Sequence, residues 1–247
     1  LRLLNPEVTC VAAEEHRFLV QEAIDAARVS GQQLLEPVAR NTAAAMAAAA
    51  LLADPEDLLL FAPADHYIPE PERFAATVRT GVAAALAGHL VTFGVEPSFP
   101  STAYGYIRQG DKLDLALENE SGRKVAAFIE KPPAERAEQL LLEGGNLWNA
   151  GILLVQAKVL IAALQAHAPD ILHSCQQTDG DFLRMDSGAF GRCRSQSIDY
   201  AVLEKCDSVA VIPFQGRWSD VGSWNAVADL HDAHANDNRI SGQGFSE

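Results

Sequence analysis

Residues 58–68, LLLFAPADHYI, decide the fold. The first half is a short, wholly apolar run, the pattern of a strand buried on both faces of a largely parallel sheet. Pro63 then ends the ladder, because it has no N–H to donate, and Asp65 and His66 are costly to bury unless something satisfies them. In an open α/β sheet, ligands bind beyond the strand ends. Asp65 is therefore a candidate to hold a metal or a polar substrate, with a simple turn cap as the alternative.

Working outward, short apolar runs alternate with helical patterns. Upstream, the spacing predicts a strand at 8–12, a helix at 16–27 ended by Ser30-Gly31, and a strand at 33–36. An alanine-rich helix then runs to about 53, capped by Asn41 or Thr42. Downstream come a helix stopped at Gly88, strands at 90–94 and 125–129, a helix at 134–143 and a strand at 152–155. Helices at 158–167 and 169–176, a polar surface loop at 178–195, a short helix at 199–204 and a strand at 209–213 follow. A last helix is expected at 224–231, capped by Ser223. Each crossover helix must pack on a face of the sheet, so the pattern predicts a Rossmann-like, doubly wound α/β fold with a mixed, mostly parallel sheet. With 247 residues, 48% of them hydrophobic, the whole of 1–247 is expected to be one domain.

Charge narrows the function. A net charge of −14 argues against nucleic-acid and anionic-membrane partners, which bind through clustered Lys and Arg. Small anionic ligands remain open, helped by a divalent metal, a few placed cations or helix N-termini. No apolar run reaches the roughly eighteen residues of a membrane span, and the first residues lack a signal-peptide pattern. Four scattered cysteines show no CxxC spacing, which fits a reducing cytoplasm. The sequence leaves the oligomeric state open, a homo-oligomer included.

Polar residues at predicted strand ends are the remaining site candidates. Arg40-Asn41-Thr42 sits between a strand and a helix N-terminus, a contact for an anion or nucleotide or else an ordinary cap. Gly105, between Tyr104 and Tyr106, either lets a ligand approach the backbone or marks a bulge. Glu130-Lys131 precede Pro132, as a site pair or a surface ion pair. Asn149, beside a glycine, offers an amide to a polyhydroxylated ligand, and Asp220 follows another buried strand as a second carboxylate.

Seven segments occur in order: LEPVARNT (35–42), PADH (63–66), YGYI (104–107), FIEKP (128–132), WNAG (148–151), SIDYAVLEK (197–205) and WSDVGSW (218–224). Together they resemble the nucleotidyltransferase domain of the mannose-1-phosphate guanylyltransferase (GDP-mannose pyrophosphorylase) family. The last two segments are most similar to its bacterial bifunctional type, which carries a mannose-6-phosphate isomerase domain downstream. The resemblance implies a fold of the sugar nucleotidyltransferase type. It also implies attack of a mannose 1-phosphate oxygen on the α-phosphorus of GTP, giving GDP-mannose and pyrophosphate by alignment and charge neutralisation. By the same resemblance Asp65 and Asp220 bind Mg2+ and, with Lys131, form the catalytic set. Glu130 and Asn149 hold mannose hydroxyls beside the Gly105 backbone, Lys131 meets the sugar phosphate, and Arg40, Asn41 and Thr42 lie near guanine and ribose.

There are departures from that pattern. The family's GGxGxRLWP and PKQ elements do not occur in these 247 residues, nor does an isomerase domain, so the chain is expected to enter the fold after its phosphate loop. Ala39, Ala103 and Ala150 stand where the family usually has glycine, glycine and serine, and Ala44 stands where it usually has proline. Two other functions stay open: transfer to another sugar 1-phosphate, and a non-catalytic sugar-nucleotide-binding regulator.

Overall fold

In the computed structural model, residues 3–4, 7–115, 122–176 and 184–230 are described. The chain runs β1 (Glu7–Ala13), α1 (Arg17–Ala27), β2 (Ser30–Glu36), α2 (Asn41–Leu52), β3 (Leu58–Phe61), α3 (Pro71–Leu86), β4 (Leu90–Val95), β5 (Tyr106–Lys112) and β6 (Arg123–Ile129). It continues with α4 (Ala134–Glu143), β7 (Asn146–Gln156), α5 (Ala157–His167), α6 (Pro169–Gln176), α7 (Ser187–Gly191), α8 (Ile198–Ala201), β8 (Val209–Phe214) and α9 (Trp224–Asp229).

β1 and β2 pair in parallel as a two-stranded ribbon. The remaining strands form one sheet in the order β3-β7-β4-β8-β6-β5, with the start of β7 also reaching β5. Within it β4 and β8 are parallel, whereas β7 runs antiparallel to β3, β4 and β5. The fold is α/β with a mixed sheet, as expected; in the six-stranded sheet β4–β8 is the parallel pairing among the described residues and the other pairings are antiparallel. Alternation along β7 divides the interior: Leu153 and Val155 join a core with α2, α5 and α6, while Ile152 and Leu154 join a second core with α3 and α4. In α2 the buried positions are Ala43, Ala44, Ala47, Ala48 and Ala50, with Met46. Side chains this small favour the helix and let its backbone lie close to its neighbours.

Several local expectations are corrected. β3 pairs antiparallel with β7 and lies at an edge of the six-stranded sheet among the described residues, its four side chains only half-buried. An apolar run signals burial but not the direction of a partner that arrives some ninety residues later. Helix α1 ends at Ala27 with Arg28 left-handed (φ 52°), and Ser30 and Gly31 belong to β2. α2 lacks a side-chain cap. Asn41 accepts only from the Thr42 N–H next to it, and Thr42 is used elsewhere. Part of the expected surface loop at 178–195 is interior: Met185, Ala189, Phe190 and Cys193 are buried. Residues 178–183 of that loop, and residue 231 at the expected end of the last helix, lie outside the described residues. Among the described residues no helix is long and apolar enough to cross a membrane.

Candidate active site

The site is built where β7 leaves regular pairing. Leu153 lies opposite Thr92 and Asn149 opposite Gly94, so β7 uses four residues where β4 uses two. Gly151, at φ +66°, makes the bend that an L side chain resists. Asn149 is held on three sides. Its backbone N–H donates to the Gly105 carbonyl (2.8 Å), its Nδ2 donates to Asp199 Oδ1 (2.8 Å), and its Oδ1 accepts from the Gly151 N–H (3.1 Å).

Beside it, a Cβ on Gly105 would stand 2.4 Å from Glu130 Oε2. The absent side chain makes room for that carboxylate, a use the sequence does not disclose. Burial pushes the Glu130 carboxyl up from its usual range and the Asp199 charge adds to this, against the pull of Lys131. Asp199 is raised chiefly by burial too, opposed by its hydrogen bonds and by Lys131.

The loop after β3 and the loop after β8 are stapled together. Tyr67 N–H donates to Ser219 O (2.9 Å) and Ser219 N–H to Tyr67 O (3.1 Å), an antiparallel bridge that holds the Asp65 and Asp220 segments side by side. Asp220 Oδ1 accepts from the Tyr104 hydroxyl (3.1 Å) and the Gly222 N–H (3.1 Å). Burial and then the Asp220 carboxylate push the Tyr104 phenol up to about 12, so it stays a donor at neutral pH. Trp218 Nε1–H donates to His66 Nδ1 (3.2 Å). An indole can only donate, so that nitrogen carries the lone pair and the ring proton is on Nε2. Burial lowers the His66 pKa, against the charges of Asp65 and Asp220, which keeps the ring neutral.

These groups surround a cavity of about 210 Å³. Thr42, His66, Tyr104, Gly105, Glu130, Asn149, Asp199, Trp218 and Asp220 line it, together with apolar Met46, Ile152, Leu153 and Leu203. Among the predicted residues, Thr42, Gly105, Glu130, Asn149 and Asp220 thus line one cavity. Thr42 Oγ1 accepts from the Ile198 N–H (2.9 Å), which ties α2 to α8. The other predicted residues are not among the lining residues. The Arg40 guanidinium is engaged by the carbonyls of Phe190 and Gly191, and Asn41 turns at φ +66°. Asp65 sits next to His66 on the stapled loop. Lys131 is exposed, with Nζ 3.6 Å from Glu130 Oε1.

Strain is concentrated here. Four non-glycine residues have positive φ among the described residues: Arg28, Asn41, Lys131 and Val221. Asn41 and Lys131 are themselves proposed site positions, and Val221 adjoins Asp220. For a β-branched residue such as Val221 (φ 51°), this is costly backbone held by its surroundings. Asp199, His66, Tyr104 and Trp218 were missed as site residues. Asp199 follows the Ser197 cap of a short helix, where a carboxylate is ordinary, so only the SIDYAVLEK segment marked it.

The donor chemistry suits a hard divalent cation, since a metal such as Mg2+ takes one or two carboxylates and leaves positions for water and phosphate oxygens. Asp65 and Asp220 lie on the two bridged loops, Asp220 lining the cavity and Asp65 outside its lining.

A family model described as "Nucleotidyl transferase" matches residues 3–237. The chain belongs to the nucleotidyl transferase family. Among curated relatives of this transferase, a mannose-1-phosphate guanylyltransferase of Salmonella montevideo is 41% identical over 100% of the chain and 54% of its own length. The alginate biosynthesis protein AlgA of Pseudomonas aeruginosa is 40% identical over 94% of the chain and 50% of its own length. The chain therefore spans about half the length of the curated relatives it matches. A solved structure named mannose-6-phosphate isomerase, from Helicobacter pylori, is 32% identical with a TM-score of 0.76, covering 87% of this chain and 84% of that one.

Proposed function

We propose that this nucleotidyl transferase forms GDP-mannose and pyrophosphate from GTP and mannose 1-phosphate. The observation that carries the proposal is the cavity in which Asp220, on a loop bridged to the Asp65 loop, meets Glu130, Asn149 and Asp199, an acceptor-rich set suited to sugar hydroxyls. The identity of 41% with a relative named for this reaction supports the choice of mannose and guanine.

In this mechanism Glu130 and Asn149 hold the mannose hydroxyls, so that binding fixes the sugar phosphate before reaction. Gly105 keeps the space that Glu130 occupies. Lys131 neutralises the mannose phosphate, and its exposed ammonium can swing towards it. Thr42, with Arg40 and Asn41 shaping the turn beneath, receives the nucleoside. Asp65 and Asp220 would hold Mg2+, which neutralises phosphate charge and lowers the cost of in-line displacement. The Tyr104 hydroxyl and the Gly222 N–H donate to Asp220 and fix its orientation. The four cysteines are free thiols, which fits a reducing cytoplasm.

The test follows pyrophosphate released by the full-length protein with GTP, mannose 1-phosphate and Mg2+, run beside other nucleotides and hexose 1-phosphates. Preferential release with GTP and mannose 1-phosphate is expected. No release, or isomerisation of mannose 6-phosphate without nucleotide transfer, contradicts the proposal.

A further inference from the structure

Asn149 has an amide that could point either way, yet both of its local partners have a fixed polarity. The Gly151 N–H can only donate, which assigns Oδ1 to that side, and Asp199 Oδ1 accepts at 2.8 Å, which assigns Nδ2 to the other. Of these two, Asp199 is the partner a side-chain substitution can change. Its own place is fixed from another element. The Ile198 N–H next to it donates to Thr42 Oγ1 on α2 (2.9 Å), and the Ser197 hydroxyl accepts from Tyr200 N (3.5 Å).

We infer that Asp199 is a positioning residue for the sugar: it holds the Asn149 amide in one orientation, so that one N–H and one lone pair of that amide are presented to a hexose hydroxyl in the cavity. This rests on the proposed function, which places a hexose phosphate against Asn149, and it deepens that proposal by naming what sets the selectivity of the contact.

Two further observations agree. Asp199 lines the same cavity as Asn149 and Glu130, so its orienting bond is made at the ligand surface rather than in the remote core. Its charge also acts on Glu130, giving an acceptor-rich wall that favours a ligand rich in hydroxyl donors. A residue serving only to cap α8 would need neither. The Ser197 side chain already performs that role.

Asp199→Asn keeps the shape but replaces an acceptor with an amide that can present either polarity, so the Gly151 N–H alone is left to orient Asn149 and the amide is held less firmly. In the full-length protein we expect about a ten-fold rise in KM for mannose 1-phosphate, the usual scale for losing one charge-assisted hydrogen bond. Changes in kcat and in KM for GTP should stay within about two-fold, with no loss of thermal stability. Because Asp199 acts through Asn149, the same substitution in an Asn149→Ala background should change that KM by less than about two-fold. Additive effects in the double variant, an unchanged KM in the single variant, or a fall in kcat alone overturns the inference.

Calorimetric affinity for mannose 1-phosphate, glucose 1-phosphate and galactose 1-phosphate gives a second readout of the same cycle. If the wild-type protein binds one of the others instead of mannose 1-phosphate, the proposed function falls, and Asp199 is judged by its coupling to Asn149 on the sugar that does bind. Binding of none of them overturns both.

Discussion

Gly105 shows how a single residue shapes the site. Its missing Cβ is not an accident of turn geometry, because the space is filled by Glu130 Oε2. The obstructing atom is the far end of a flexible side chain, so Gly105→Ala should cost less than about 1 kcal/mol in urea unfolding, well below a backbone clash. Displacing the carboxylate should raise KM for the sugar phosphate by about ten-fold. A normal KM would mean that Glu130 does not touch the sugar. At Val221 the expectation is reversed. Val221→Gly relieves left-handed strain and should raise unfolding free energy by about 1 kcal/mol, while the loosened Asp220 loop lowers turnover. Lower stability in the glycine variant would show that the strain is not there. The Glu130 and Asp199 carboxyls, both raised by burial, also fix a pH dependence. Their ionised forms are the stronger acceptors, Glu130 towards sugar hydroxyls and Asp199 towards the Asn149 amide, so sugar affinity should fall as pH drops through the raised values, above the ordinary 4.5 and 3.8. Stability runs the opposite way. A carboxyl with a raised folded pKa favours folding at low pH and loses that contribution as pH rises through the folded value. Asp199→Asn should therefore be more stable than wild type at neutral pH, with the advantage fading towards pH 3.8. A gap that does not change with pH refutes the assignment.

At the scale of elements, the bulged strand and the stapled loops matter more than any one helix. β7 carries Asn149 because it uses four residues opposite two of β4. The Asp65 and Asp220 loops are aligned because Tyr67 and Ser219 exchange backbone hydrogen bonds. Ser219→Pro removes one of those donors and should cost about 1 kcal/mol of stability. The misaligned carboxylates should lower turnover by at least about ten-fold; full activity would show that the bridge is dispensable. Much of the element pattern was legible, because helical and alternating periodicities survive in sequence: α4 and α6 have the predicted bounds. The neighbour of β3 was not, since strand pairing depends on residues far along the chain. Nor was the interior character of Met185, Phe190 and Cys193, whose apolar side chains are diluted by polar neighbours in sequence.

For the molecule as a whole, charge and motif order together pointed to the family, while the cavity had to be seen in three dimensions. Thr42, Gly105, Glu130, Asn149 and Asp220 are separated by as much as 178 residues and still line one cavity. Arg40 was legible as a residue near the site but not in its role, because its partners, the carbonyls of 190 and 191, carry no side-chain signal. In the proposed mechanism this cavity receives the mannose end of GDP-mannose while Asp65 and Asp220 hold the metal. The most direct measurement is a crystal structure of the full-length protein with GDP-mannose and Mg2+. The hexose is predicted within hydrogen-bond distance of Glu130 and Asn149, with the metal on both aspartates. A sugar bound away from those two side chains would contradict it.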